Sequence, residues 1–326
     1  MLEVKDLTVE FKIEDRLLRA VDGVSFCVGD QKMVGLVGES GSGKSVTALS
    51  VLNLLSGNGR IIGGEIVWNG RRLAGLSPAQ WREIRGREMA MIFQNPLAAL
   101  NPVFSIGDQM VETIRWHHHV SRAEALTRAI DLLKAVQIPD AHLRIRDYPH
   151  QFSLGMCQRI MIALTLSMNP KLIIADEPTA SLDVTVQAQI LELLERIKDE
   201  FKMSVLLISH DLGVIAQHCE EMMVMYLGKI AEVGATRAVF AQPRHPYTQA
   251  LLASIAVPDP ARPRGRALRG EVPSLASIGP GCRFASRCPH VMDRCRREPP
   301  PFYVDPTTGQ EFTCFLAEDA GLPRAS

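Results

Sequence analysis

Apolar and polar positions follow two different rhythms along this chain, and the change of rhythm divides it. Up to about residue 37 the period is close to two. Val4, Leu7, Val9 and Phe11 open the pattern, and Val24, Phe26 and Val28 alternate before a Gly29-Asp30 turn. Successive strand side chains face opposite ways, so these runs predict β-structure. Met33-Val34-Gly35-Leu36-Val37 reads as a short buried strand. From Ser45 to Leu55 the spacing turns helical, with Val46, Leu49, Leu52 and the Val51/Leu55 pair on one face. Residues 61–70 predict a hairpin strand ending at an Asn69-Gly70 turn. Met89 to Phe93 is another apolar strand, broken by Gln94-Asn95-Pro96.

Residues 106–147 change character. Ile106, Met110 and Ile114, then Ala129, Leu132, Leu133 and Val136, recur every three or four positions, as on helices. Strand runs return at 171–175 and 205–209, closing on Asp176-Glu177 and His210-Asp211. After Ile255 the rhythm is lost. Pro258, Pro260, Pro263 and Pro273 mark an irregular linker.

Composition narrows the class. With 326 residues, the expectation is about two domains. Lys+Arg and Asp+Glu both number 36, so the formal net charge is zero, which argues against a broad nucleic-acid surface. No run reaches the ~18 apolar residues of a membrane span. Met1 to Asp6 lacks the apolar core of a signal peptide, so a soluble, cytosolic chain is expected.

The candidate chemistry begins at Gly38-Glu39-Ser40-Gly41-Ser42-Gly43-Lys44-Ser45, which fits the phosphate-loop pattern G-x-x-x-x-G-K-[ST]. Glycines let the backbone approach a phosphate chain and turn N–H groups inward. Lys44 adds a point charge for β- and γ-phosphates, and the Ser45 hydroxyl can hold Mg²⁺. A strand before and a helix after would deliver phosphate to a helix N-terminus at Val46. Asp176 and Glu177 end a strand, where open α/β sheets bind ligands. The first suits Mg²⁺ and the second suits polarising a water. His210 at another strand tip can donate to a γ-phosphate. Phe11 suits either a base stack or a core position. His117-His118-His119 makes a poor chelator, because helix neighbours point about 100° apart, and reads as a solvated helix end.

Taken together, these residues resemble the ATP-binding subunits of ABC transporters over about residues 1–257. Gln94 matches the Q-loop, and Tyr148 to Met156 (YPHQFSLGM) matches the signature and its lead-in. Asp176 and Glu177 match the Walker B pair, Ser181-Leu182-Asp183 the D-loop and His210 the switch histidine. Gly38 to Leu55, the His245-Pro246-Tyr247-Thr248 run and the cysteine tail are similar to the oligopeptide/dipeptide importer branch, some members of which handle nickel or glutathione.

The resemblance implies an α/β P-loop NTPase core at 1–93 and 170–240, an inserted helical subdomain at about 97–168, and a cysteine-rich, metal-binding extension at 258–326. It implies a nucleotide bound by Phe11, Gly38, Ser40, Gly41, Ser42, Gly43, Lys44, Ser45, Val46 and Asp176. Across a dimer, Ser153, Gly155 and Asp183 would complete the partner's ATP. Mg²⁺ would fall to Ser45 and Gln94, and catalysis to Glu177, His210 and Gln94. Expected partners are a paralogous ATP-binding subunit, two transmembrane permeases and an extracytoplasmic binding protein, on the cytoplasmic face of a bacterial plasma membrane. Competing classes are a soluble ABC ATPase on nucleic acid or ribosomes, opposed by the zero net charge, and a phosphate-loop kinase, in which the signature has no role.

Two features depart from the pattern. The signature's first glycine is Leu154, and Cys157 stands where the branch has Arg. If position 154 needs a glycine-only backbone, Leu costs about 1–3 kcal/mol there, which predicts one weakened ATP site. Four of the seven cysteines, Cys282, Cys288, Cys295 and Cys314, lie in the tail with spacing C-x5-C-x6-C-x18-C. Clustered thiols in a reducing compartment point to metal. The spacing matches neither common zinc nor ferredoxin runs. The resemblance favours a [4Fe-4S] cluster over zinc. Cys27, Cys157 and Cys219 are scattered and read as buried residues.

Overall fold

The computed structural model describes residues 1–14, 16–254 and 270–325. Pro258, Pro260 and Pro263 of the expected linker lie outside the described residues. The chain forms two compact units, one from 1–29, 33–74 and 207–326, the other from 30–32 and 75–206.

The first unit opens with β1 (Leu2–Ile13) and β2 (Arg16–Val28), an antiparallel pair. Next come β3 (Met33–Val37), the helix α1 (Lys44–Val51), β4 (Gly59–Trp68) and β5 (Arg71–Arg72). One antiparallel sheet has the order β2-β1-β4-β5. The period-two rhythm is seen directly: Val4, Val24, Phe26 and Val28 are buried, with polar neighbours between. The same alternation corrects one expectation. Cys27 is exposed, because it sits between inward Phe26 and Val28. Helix α1 is also shorter than its apolar spacing suggests. Asn53 turns left-handed (φ 51°), and the Leu54 N–H bonds back to the Leu49 carbonyl at 2.8 Å.

The second unit carries α2 (Pro78–Ile84), β6 (Met89–Ile92) and α3 (Pro96–Ala99). The helices α4 (Ile106–His117), α5 (Arg122–Ala135), α6 (Ala141–Arg144) and α7 (Leu154–Leu166) follow. Then come β7 (Leu172–Asp176), α8 (Val184–Phe201) and β8 (Ser204–Ser209), which carries the chain back to the first unit. Strands β6 and β7 are parallel and wholly buried, which explains their unbroken apolar runs. Caps fix the helix starts: Ser105 Oγ accepts from the Asp108 N–H and Ser121 Oγ from the Glu124 N–H, each at 3.1 Å. Buried Arg159 of α7 donates to the Val136 carbonyl (3.0 Å), Gln137 (2.9 Å) and Gln189 of α8 (3.0 Å). His117 closes α4, as the triple-histidine run predicts for a helix end.

Back in the first unit are α9 (Leu212–His218), β9 (Glu221–Tyr226), β10 (Lys229–Ala235), α10 (Thr236–Ala241) and α11 (Pro246–Ala253). The tail adds α12 (Asp293–Arg297), β11 (Tyr303–Val304), β12 (Glu311–Phe312) and α13 (Leu316–Asp319). Strands β11, β12, β10, β9 and β3 lie side by side in that order, with β3 and β9 parallel. The tail is thus sewn into the sheet through Glu232↔Phe312 and Val233↔Glu311. Fully buried Glu232 reinforces the seam. Its carboxylate accepts from the Arg244 and His245 N–H groups (2.8 and 2.9 Å) and from Gln310 (3.0 Å). Burial raises its pKa above the ordinary carboxylate value.

Among the described residues no helix is long and apolar enough to cross a membrane. Helix α9 lies so close to β3 that a β-carbon on Gly35 would stand 2.7 Å from Ile215 Cγ2. Gly35→Ala therefore destabilises the chain by about 1–3 kcal/mol, read as a lower urea midpoint with unchanged slope.

Candidate functional site

The phosphate-loop sequence sits between β3 and α1 in the first unit, where the strand–loop–helix reading placed it. Its glycines are used for two reasons. Gly41 and Gly43 adopt φ of 76° and 105°, which L side chains rarely do. Gly38 has an ordinary φ but no room: a β-carbon would come 2.1 Å from the Met225 carbonyl oxygen. The loop is pinned to the sheet where the Gly228 N–H donates to the Ser42 carbonyl at 2.7 Å. Lys44 is 5% exposed and folds into its own loop, its Nζ donating to the Gly38 and Glu39 carbonyls at 2.7 and 3.1 Å. Ser40 and Ser45 are exposed and Val46 is half-buried. Ser42 Oγ is buried without a hydrogen-bond partner, an unmet need that a ligand oxygen would satisfy.

Phe11 is half-buried in β1, paired with Gly59 of β4. A β-carbon there would meet the Phe11 ring at 2.6 Å, so the ring lies over the glycine. His210 is exposed after β8. The turn behind it is fixed by Ser209 Oγ accepting from the Asp211 N–H (2.9 Å) and by Asp211 capping α9 through the Gly213 N–H (2.7 Å).

In the second unit, Asp176 is buried at the end of β7, and Glu177 follows in a left-handed conformation (φ 46°). Such backbone costs of order 1–3 kcal/mol and persists where its surroundings enforce it. The structure brings Gln94 to this carboxylate: its Nε2 donates to Glu177 Oε2 at 3.2 Å. Ser181 is also left-handed (φ 69°), and Asp183 caps α8 through the Val186 N–H at 2.9 Å.

The signature sits at the start of α7. Ser153 is the cap, its Oγ accepting from the Met156 N–H at 3.3 Å, so the helix begins at Leu154. This overturns the strain expected of Leu154. It is the first residue of an α-helix and is not among the positive-φ residues. Gly155 is the tight position: a β-carbon would stand 2.7 Å from Val186 Cγ1. Cys157 is buried, and burial raises its pKa.

The four tail cysteines are free and line one small apolar cavity of about 20 Å³, with Phe284, Met292 and Phe315 among its walls. Burial pushes Cys282 up to about 11 and Cys314 up to about 12, and the neighbouring thiols add to both shifts. Cys288 is raised for the same first reason. Among the described residues no three His, Cys, Asp or Glu side chains are arranged to hold a metal ion. The four thiols share this cavity, but their positions do not form a metal-ligand set, so the structure does not support the expected metal-binding tail.

Sequence reading missed Arg287, whose guanidinium pairs with Glu39 of the phosphate loop at 2.6 Å. Its one signal was an arginine beside Cys288.

The ABC transporter family model matches residues 21–180, and the model for the C-terminal region of oligopeptide/dipeptide transporters matches 231–295. The oligopeptide transport ATP-binding protein AppD of Bacillus subtilis is 44% identical over the whole chain and 99% of its own length. A probable peptide ABC transporter ATP-binding protein of Sinorhizobium fredii is 48% identical, covering 92% of this chain and 90% of that protein. Among solved structures, the ATP-binding cassette MJ0796, a dimer in a post-hydrolysis state bound to ADP and Pi, superposes with a TM-score of 0.66 at 25% identity, over 73% of this chain and 99% of that one. The chain belongs to the ABC transporter family as an ATP-binding subunit, and within it to the oligopeptide/dipeptide branch.

Because Leu154 is unstrained, Leu154→Gly gains no stability. The expected change is a loss of up to about 1 kcal/mol, read by urea unfolding.

Proposed function

We propose that this chain hydrolyses ATP to power the import of di- or oligopeptides through a membrane complex. The observation that carries the reading is the phosphate loop. It turns at Gly41 and Gly43, encloses the Lys44 ammonium and leaves Ser42 Oγ unsatisfied at the start of α1. In this reading the loop N–H groups and Lys44 take the β- and γ-phosphates. Ser45, Gln94 and Asp176 serve Mg²⁺, which offsets phosphate charge when bound. Glu177 accepts a proton from the attacking water, and its bond to Gln94 holds the carboxylate. His210 donates to the γ-phosphate, and Phe11 faces the base. Glu177→Gln keeps ATP binding and lowers turnover of the assembled complex by about 10²–10⁴-fold in a phosphate-release assay. Full turnover in that variant would overturn the assignment.

Residues 1–257 are read as the ATPase domain, with its helical part at about 97–168, and 258–326 as the extension. The peptide cargo is supported by AppD and the tail family match. Nickel or glutathione-like solutes are the alternative within the same machine. Val103, Phe104 and Trp116 are exposed around the helical part, and the last two line a groove of about 530 Å³ with Asp108 and Arg115. An apolar patch of this kind suits docking to a permease. The chain then works on the cytoplasmic face of the plasma membrane, fed by an extracytoplasmic binding protein.

A second ATP-binding subunit completes the arrangement. Ser153, Gly155 and Asp183 would face that partner's nucleotide, and Val184 beside them is 84% exposed. Leu154, where the family signature has glycine, favours a paralogue as that subunit. The Leu154→Gly complex should accordingly turn over faster than the parent; an unchanged rate rejects the asymmetry. Cys282, Cys288, Cys295 and Cys314 would hold a [4Fe-4S] cluster, which would cross-link the tail loops. Zinc is the competing ion. Anaerobically purified chain should show visible absorption and about four irons; colourless protein with one zinc reverses the choice.

A further inference from the structure

The cysteine tail touches the phosphate loop through one side chain. Arg287 precedes Cys288, and its guanidinium turns to Glu39, the second residue of the loop. Nη1 donates to Oε2 at 2.6 Å and Nη2 to Oε1 at 3.1 Å, a two-pronged pair. The Arg287 side chain is 5% exposed and that of Glu39 25%. Nη1 also reaches Tyr226 Oη at 3.4 Å, with the guanidinium 5.8 Å from that ring's centre.

Glu39 is held at two further atoms. Its N–H donates to Tyr247 Oη at 3.0 Å, and its carbonyl accepts from Lys44 Nζ at 3.1 Å. Tyr247 is fully buried on α11, 4.5 Å from the Tyr226 ring and 5.4 Å from Phe284. Phe284 in turn lines the cavity that Cys282 and Cys288 share. One loop residue is therefore gripped by the tail, by α11 and by the lysine of the loop. Every group in this chain of contacts lies in the first unit. Arg283 adds a parallel tie, donating to Asp22 at 2.6 Å, and the Asp22 N–H bonds to the Gly228 carbonyl beside the loop.

We propose that Arg287 is a positioning residue for nucleotide binding: by holding the Glu39 carboxylate it keeps the phosphate loop in its binding form, and it makes ATP affinity depend on a folded cysteine tail. Physical reasons favour an effect on binding rather than on the chemical step. The Glu39 carboxylate is taken up by Arg287, and its N–H and carbonyl by Tyr247 and Lys44, so the residue fixes the loop backbone. Removing Arg287 leaves a partly buried carboxylate beside the phosphate path, which both loosens the loop and repels an anion. Lysine would restore the charge but not the fork. The proposal rests on the phosphate-loop reading of Gly38–Ser45.

The test measures steady-state ATPase kinetics of the assembled transporter carrying Arg287→Gln, Arg287→Lys, Glu39→Gln, the Gln/Gln double change, or Lys44→Ala. The expected result for Arg287→Gln is a KM for MgATP raised about tenfold with kcat within about twofold, a shift of about 1.4 kcal/mol. Glu39→Gln, which loosens the loop without leaving a carboxylate to repel the anion, should raise KM by a smaller factor, the double change should be no worse than Arg287→Gln, and Arg287→Lys should recover part of the loss. Arg287→Gln also lowers the urea midpoint, since it leaves a partly buried carboxylate unpaired, while Arg287→Lys, which keeps the charge, lowers it less. A wild-type KM in Arg287→Gln, or single effects that multiply in the double change, would overturn the proposal. Should Arg287→Gln fail to assemble, Glu39→Gln and Arg287→Lys decide the same question, and wild-type KM in both rejects it. Lys44→Ala separates the two levels: lost binding there with normal Arg287→Gln rejects only the positioning role, while normal KM in Lys44→Ala rejects the phosphate-loop reading itself.

Discussion

A backbone loop that binds phosphate must keep its N–H groups pointing inward while no phosphate is present to hold them there. This requirement governs the first unit. The loop cannot stabilise itself with side chains on its inner face, because glycines are what make that face approachable. Support therefore comes from outside. The Met225 carbonyl blocks any side chain at Gly38, the Gly228 N–H fixes the Ser42 carbonyl, and Tyr247 and Arg287 take the two ends of Glu39. Strand β9, helix α11 and the tail are scaffolding for eight residues as much as they are core.

The same logic appears in the second unit in another form. Glu177 sits in a left-handed conformation that costs stability and that β7 and the following turn impose on it. Its carboxylate meets Gln94, which follows the parallel neighbour β6. Two strand ends thus present two polar groups to one another, and the apolar runs of both strands exist to keep those ends in register. Gly155 packs against Val186 at the head of α8, so the signature helix and the helix after Asp183 share a contact with no slack.

How much of this was legible beforehand depends on the range of the interactions. The phosphate loop, the paired carboxylates and the alternating strands follow from local spacing, and the elements appear where the spacing put them. Departures have local causes too: Cys27 is turned out by the alternation around it, and α1 stops at a left-handed Asn53. The strain assigned to Leu154 was wrong because a helix's first residue needs only ordinary angles. What could not be read was the partnership of residues 39 and 287, which are 248 positions apart and carry no shared pattern. Likewise the cysteine spacing names no ion, and only the structure shows the four thiols around one cavity.

The position of Lys44 has a consequence of its own. Its ammonium is buried and already satisfied by two carbonyls of the loop it belongs to. The two carbonyl dipoles solvate this cation inside a dry loop, where an ammonium without hydrogen-bond acceptors would be costly.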